Sequence, residues 1–187
     1  KTKQFNLQKG SFVFTDESQN KRWEMQNIKA FKPESYVKSS QLPYIVFPMN
    51  QFQLQGFAGN TESWEGFGKW SADLIAERDK LPEETKAKIL EMVKDHDNPK
   101  EKAKIIYAWM QENTRYISIQ YGIGGWQPTT ASDVDDVKYG DCKALANYTK
   151  ALFEVASIDS YYSLVTAGEG EKTLDPKFPS NQFNHVI

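Results

Sequence analysis

At Ser63 the apolar residues of this chain change period, and that switch limits what it can fold into more than any other feature. Before it, short alternating runs dominate. Phe12-Val13-Phe14 and Tyr44-Ile45-Val46-Phe47 read as strands, and Gln53–Phe57 as one further strand. Gly10, Pro33, Pro43, Pro48, Gly56 and Gly59 punctuate them. After it, Trp64, Phe67, Trp70 and Leu74 recur at steps of three and four, the stripe of an amphipathic helix that Leu81-Pro82 closes. Pro82 suits the first position of a second helix, which runs through Ile89, Leu90 and Val93 to about Asp95. Asn98-Pro99 reads as N-cap and first residue of a third, with Ala103, Ile106 and Met110 on one stripe and an end near Asn113. Tyr116–Tyr121 alternates as a strand, and residues 122–139 read as a long unstructured loop with a solvated acidic cluster at Asp133–Asp136. A strong helix from Gly140 to about Ala156 and strands at 161–167 and 182–187 complete the chain. The pattern is α+β. Residues 1–60 read as the C-terminal part of an all-β domain. Residues 61–187 read as a core of helices on an antiparallel sheet built from 116–121, 161–167 and 182–187.

Charge and residue counts remove several functions. A formal net charge of −2 gives no basic surplus for nucleic acid. No apolar run approaches the roughly 20 residues that span a bilayer. One Cys cannot form an internal disulfide, and one Cys with two His cannot build a structural zinc site, so neither metal nor cofactor is expected. The Asp133–Asp136 cluster lacks the glycine and distal Glu of an EF-hand. The sequon Asn147-Tyr148-Thr149 falls inside a helix. Because Asn181–Ile187 stops as the middle of a strand, the chain reads as a piece of a longer protein.

The solitary Cys142 opens the strong helix. Helical spacing from it gives Leu145, Ala146, Thr149, Leu152, Phe153 and Ala156 as the expected buried stripe. A helix N-terminus offers unpaired N–H groups and a partial positive charge, both of which favour thiolate over thiol. Gly140 lets the backbone turn into the helix and, with Tyr139, stands where a substrate would approach. His185 follows 43 residues later, and alternation puts Phe183, His185 and Ile187 on one sheet face. If the Cys142 helix packs on that face, the two side chains form the pair that activates a thiol nucleophile. His96, within Lys94-Asp95-His96-Asp97, reads as a solvated loop residue.

Val137-Lys138-Tyr139-Gly140-Asp141-Cys142-Lys143 resembles the nucleophile segment of the transglutaminase-like superfamily, with its papain-like Cys-His-Asp arrangement. Phe183-Asn184-His185-Val186 resembles that family's histidine strand, and Gly124-Gly125-Trp126-Gln127-Pro128 is similar to the segment before the Cys in bacterial members. The resemblance implies a papain/transglutaminase-like core preceded by an all-β domain. It implies cysteine acyl transfer on amide bonds of a protein or peptide substrate, as protease or amidase hydrolysis or as transamidation. Cys142 and His185 would be catalytic, and Gln120 or Trp126 would donate to the oxyanion. The triad Asp would lie on the strand after His185, beyond Ile187, since Asp159 and Asp175 precede the His. Periplasm or cell surface is the location such relatives imply. The alternative is an inactive scaffold of the same fold that binds proteins.

Overall fold

The computed structural model describes residues 2–7, 12–17, 20–28, 30, 43–168 and 174–187. The punctuating Gly10 and Pro33 lie outside them. The architecture is α+β, with five α-helices and, among the described residues, short two-stranded sheets. In the N-terminal third, β1 (Lys3–Phe5) pairs antiparallel with β4 (Tyr44–Val46), and β2 (Phe12–Glu17) with β3 (Asn20–Met25). The expected single strand at Gln53–Phe57 is instead the corner of a hairpin, β5 (Gln51–Leu54) and β6 (Phe57–Asn60). Gln55 and Gly56 both take positive φ, 46° and 95°, which is the backbone a two-residue hairpin loop demands. The alternating pattern had marked the apolar residues but not the fold-back.

Helix α1 (Trp64–Ile75) starts at an N-cap, Ser63, whose side chain accepts from the Gly66 N–H, and it buries Phe67, Trp70 and Leu74. It stops well short of Leu81-Pro82. Glu77 turns through φ 61°, and the Arg78 carbonyl then accepts from the Ala131 N–H and the Asn147 amide, both at 2.7 Å. Long-range hydrogen bonds therefore hold the turn that follows the helix. Asn147 is 1% exposed, so the sequon faces the interior. Pro82 is the N-cap of α2 (Glu83–Val93) rather than its first residue, while Asn98 caps α3 (Pro99–Asn113) with proline at its start, as the sequence indicates.

The expected loop 122–139 carries structure. A 3-10 turn covers Gly122–Gly125, and α4 (Ala131–Val137) begins at Thr130, whose side chain accepts from the Asp133 N–H. Asp135, read as solvated, is buried. Its carboxylate accepts from Tyr148 Oη at 2.6 Å, Thr85 Oγ1 at 2.9 Å and Lys138 Nζ at 3.2 Å, tying α2, α4 and α5 (Cys142–Val155) together. The acidic cluster hides this, because only the helix places the second of its three Asp inward. The four helices α2 to α5 enclose one apolar core, including Ile89, Val93, Ile106, Val134, Tyr148 and Leu152. A second core joins α1 to the β5–β6 hairpin through Phe52, Leu54 and Phe57, and also takes Leu164 and Phe183, so apolar contacts run across residue 60.

The strands of the core are shorter than expected. Of 116–121, only β7 (Arg115–Tyr116) is a strand, and it pairs in parallel with β8 (Tyr139–Gly140) instead of joining the other two. Residues Ile117–Tyr121 are exposed. The antiparallel pair is β9 (Leu164–Val165) with β10 (His185–Val186), extended by reciprocal bonds between Ser163 and Ile187 at 2.8 and 3.0 Å.

Candidate active site

Helix α5 sets the geometry. Its N-cap Asp141 accepts from the Ala144 N–H at 3.0 Å, and its second carboxylate oxygen holds the ammonium of Lys143. Both side chains of that pair are nearly inaccessible, 5% and 6% exposed. Gly140 is buried against the first turn; a Cβ there would meet the Ala144 Cβ at 2.7 Å. Glycine at this position thus serves helix packing. Tyr139, half-buried, continues the β7–β8 pairing. Together, pairing and cap place Cys142 as the first helical residue, where backbone N–H groups lack partners within the helix.

The buried stripe of α5 keeps Leu152 and Ala156 from the one expected and otherwise differs. Ala144, Asn147, Tyr148, Ala151 and Leu152 face the core, whereas Cys142, Leu145, Ala146, Thr149 and Phe153 are half-buried. The helix is apolar on two sides, and spacing alone does not say which is covered by other helices. The second side borders a cavity of about 340 Å³. Cys142 and His185 both line it, with Tyr107, Met110, Tyr116, Phe153 and Tyr161 among the walls. Helix α5 and β10 are in contact, which is how residues 43 positions apart share one space. A depression of about 570 Å³ between α2 and α5, lined by Asp79, Lys86 and Leu90, is larger but contains neither residue.

The other expected site residues lie elsewhere. Trp126 packs edge-on against Trp70, ring centroids 5.3 Å apart, and lines a separate apolar cavity of about 320 Å³ with Phe47, Met49 and Phe52. Gln120 is exposed in the segment after β7 and lines neither cavity. His96 stands 3.7 Å from Glu101 at the surface. Asp175 pairs with Lys3. Among the described residues no carboxylate hydrogen-bonds or ion-pairs with His185, and no cluster of His, Cys, Asp and Glu has the arrangement of a metal site.

Two neighbours of Cys142 escape a reading of the sequence for nucleophiles and bases. One is the buried Asp141–Lys143 pair, whose only signal was the pair of opposite charges flanking the Cys. The other is Tyr162. Its hydroxyl is buried, and burial, followed by the charges of Cys142 and Asp141, raises its pKa far above the usual tyrosine range. One Tyr among nine carries no signal in the sequence.

Trp64, at the head of α1, donates to the Pro176 carbonyl at 2.7 Å and packs on Phe183, holding the segment that leads into His185. No helix among the described residues is long and apolar enough to cross a membrane. No protein-family model matches this sequence, and no curated protein matches it closely enough to count. Among solved structures, the chain is similar in fold to one described as a "putative protease" from Parabacteroides distasonis, with a TM-score of 0.65 and 18% identity. The likeness covers 99% of this chain and 34% of that one, so this chain spans about a third of the length of the protein it matches, and what they share is the fold.

Proposed function

We propose that this chain carries the nucleophile and base of a cysteine-dependent acyl transfer on amide bonds, with hydrolysis as the default outcome. The observation that carries this reading is the single cavity walled by both Cys142 and His185, with the cysteine at the N-terminus of a 14-residue helix. The name of the structural neighbour is in keeping with it. In this mechanism His185 holds the thiol proton as imidazolium and the Cys142 thiolate attacks the amide carbonyl carbon. A C–S bond forms, and the carbonyl electron pair moves onto oxygen as an oxyanion. The pair returns, the C–N bond breaks, and His185 delivers its proton to the departing amine. Water then adds to the thioester with His185 as base, the C–S bond breaks, and acid and thiolate are released. An amine in place of water would give transamidation instead. The apolar walls suit a peptide or protein substrate whose neutral side chains flank the bond.

The reading is tested on the full-length protein by the pH dependence of thiol alkylation. Cys142 is expected to react readily near pH 6, where an ordinary thiol with a pKa of about 8.5 reacts slowly, and His185→Ala is expected to abolish that reactivity. An unreactive thiol in the folded protein would refute it and leave a binding scaffold of the same fold.

A further inference from the structure

The cavity that holds Cys142 and His185 continues along α5. Ala146, Thr149 and Phe153 line it four, seven and eleven positions beyond the cysteine, on one stripe of the helix. At a rise of about 1.5 Å per residue, Ala146 stands about 6 Å along the axis from Cys142 and Phe153 about 16 Å. The Thr149 hydroxyl is engaged within the helix, donating to the Leu145 carbonyl at 2.7 Å. Apart from the reacting pair, Lys150 is the only charged side chain among the walls. Its ammonium lies 3.5 Å from both Asp79 and Glu154, which line the other depression, so its charge is already matched. Tyr116 and Tyr161 line the same cavity and keep large, exposed rings that a ligand can cover. At about 340 Å³ the space lies at the lower end of ligand cavities, about 300–1,000 Å³, and suits one large side chain. A charged side chain entering it would lose water and meet no free counter-charge on this wall.

We propose that this wall of α5 is the specificity pocket for the residue that supplies the acyl group, and that it selects a large uncharged side chain, aromatic or branched aliphatic. This rests on the reading of Cys142 as nucleophile. In the thioester the acyl carbon is bonded to the Cys142 sulfur, so that residue's side chain stays within a few bonds of it until hydrolysis. The leaving amine departs earlier. Apolar contact with Ala146, Thr149 and Phe153 therefore bears on the transition states of both steps.

The test labels Cys142 in the full-length protein near pH 6 with chloromethyl ketones that carry a Phe, Leu, Ala, Asp or Lys side chain beside the ketone. Iodoacetamide, which carries none, is run in parallel. In each labelling the thiolate displaces the halide, a C–S bond forming as the carbon–halogen bond breaks. Each rate is taken relative to that of the same reagent with a free model thiol. The Phe and Leu reagents are expected to react at least about tenfold faster than the Ala reagent, and the Asp and Lys reagents more slowly than it. Ala146→Phe fills the pocket and is expected to shrink the Phe-to-Ala rate ratio about tenfold. A fault in folding slows every reagent alike and leaves that ratio in place. If Ala146→Phe does not fold, Thr149→Met makes the same comparison one turn further along, with the same direction expected. Equal rates across the panel, fastest labelling by the Asp or Lys reagent, or an unchanged ratio in a folded variant overturns the proposal. Each of these, beside iodoacetamide labelling that depends on His185, leaves the nucleophile reading intact. An inert wild-type thiol removes both.

Discussion

Replacing Tyr148 by Phe removes one oxygen and probes the buried junction on which the Cys142 helix rests. Tyr148 is fully buried, and its hydroxyl donates to Asp135 at 2.6 Å. Phe keeps the ring and the packing, so the cost is that of one hydrogen bond to a buried carboxylate, about 2 kcal/mol at pH 7. The pH dependence gives a second check. Burial alone would raise the Asp135 carboxyl. Hydrogen bonds from Tyr148, Thr85 and Lys138, with the Lys138 charge, outweigh it and hold the group below its ordinary value. A depressed folded-state pKa contributes stability that is present above the unfolded value, about 3.9, and is lost as pH falls through the folded one. Tyr148→Phe relaxes that depression. The gap between wild type and variant is therefore expected to be widest near neutrality. It should narrow as pH falls below the ordinary carboxyl range and through the lowered folded-state value, toward the roughly 1 kcal/mol of a hydrogen bond between neutral groups. Urea unfolding at neutral pH and down through that acid range measures both. A gap below about 0.5 kcal/mol at pH 7, or one that widens in acid, would refute the claim that this carboxylate junction supports the helix.

Two further substitutions test how Cys142 is held. Gly140→Ala would press its Cβ on Ala144, whose own Cβ is fixed by the first helical turn, so a loss of about 1–3 kcal/mol in urea unfolding is expected; stability within about 0.5 kcal/mol of wild type would mean that this contact relaxes freely. Asp141→Ala removes the cap and strands the Lys143 ammonium in the interior, for which about 3–5 kcal/mol is expected; a loss of only about 1 kcal/mol, that of an ordinary N-cap, would show that Lys143 finds water instead.

What local chemistry controls was legible before the structure. Ser63 is not a strong marker by itself, yet followed by Trp64, Phe67, Trp70 and Leu74 it identified α1 and its buried face. Asn98-Pro99 and Gly140-Asp141-Cys142 located two helix starts, because caps act within one turn. The sequence alone determined that this is an α+β chain, with one thiol at a helix N-terminus and one histidine in a late strand.

What depends on distant partners was decided by the tertiary structure. Alternation in Tyr116–Tyr121 does not reveal that pairing stops after Tyr116, since a strand persists only where another backbone meets it. The turn that follows α1 is held by hydrogen bonds to the Arg78 carbonyl from residues 53 and 69 positions away. Asp135 looked like its exposed neighbours until α4 turned it toward Tyr148. Most consequential is the rotation of α5. Both sides of that helix are apolar in sequence, and only packing against α2, α3 and α4 decides that Tyr148 goes inward. Cys142 is left facing the cavity it shares with His185, because burial is a property of what covers a face, and the covering residues lie elsewhere in the chain.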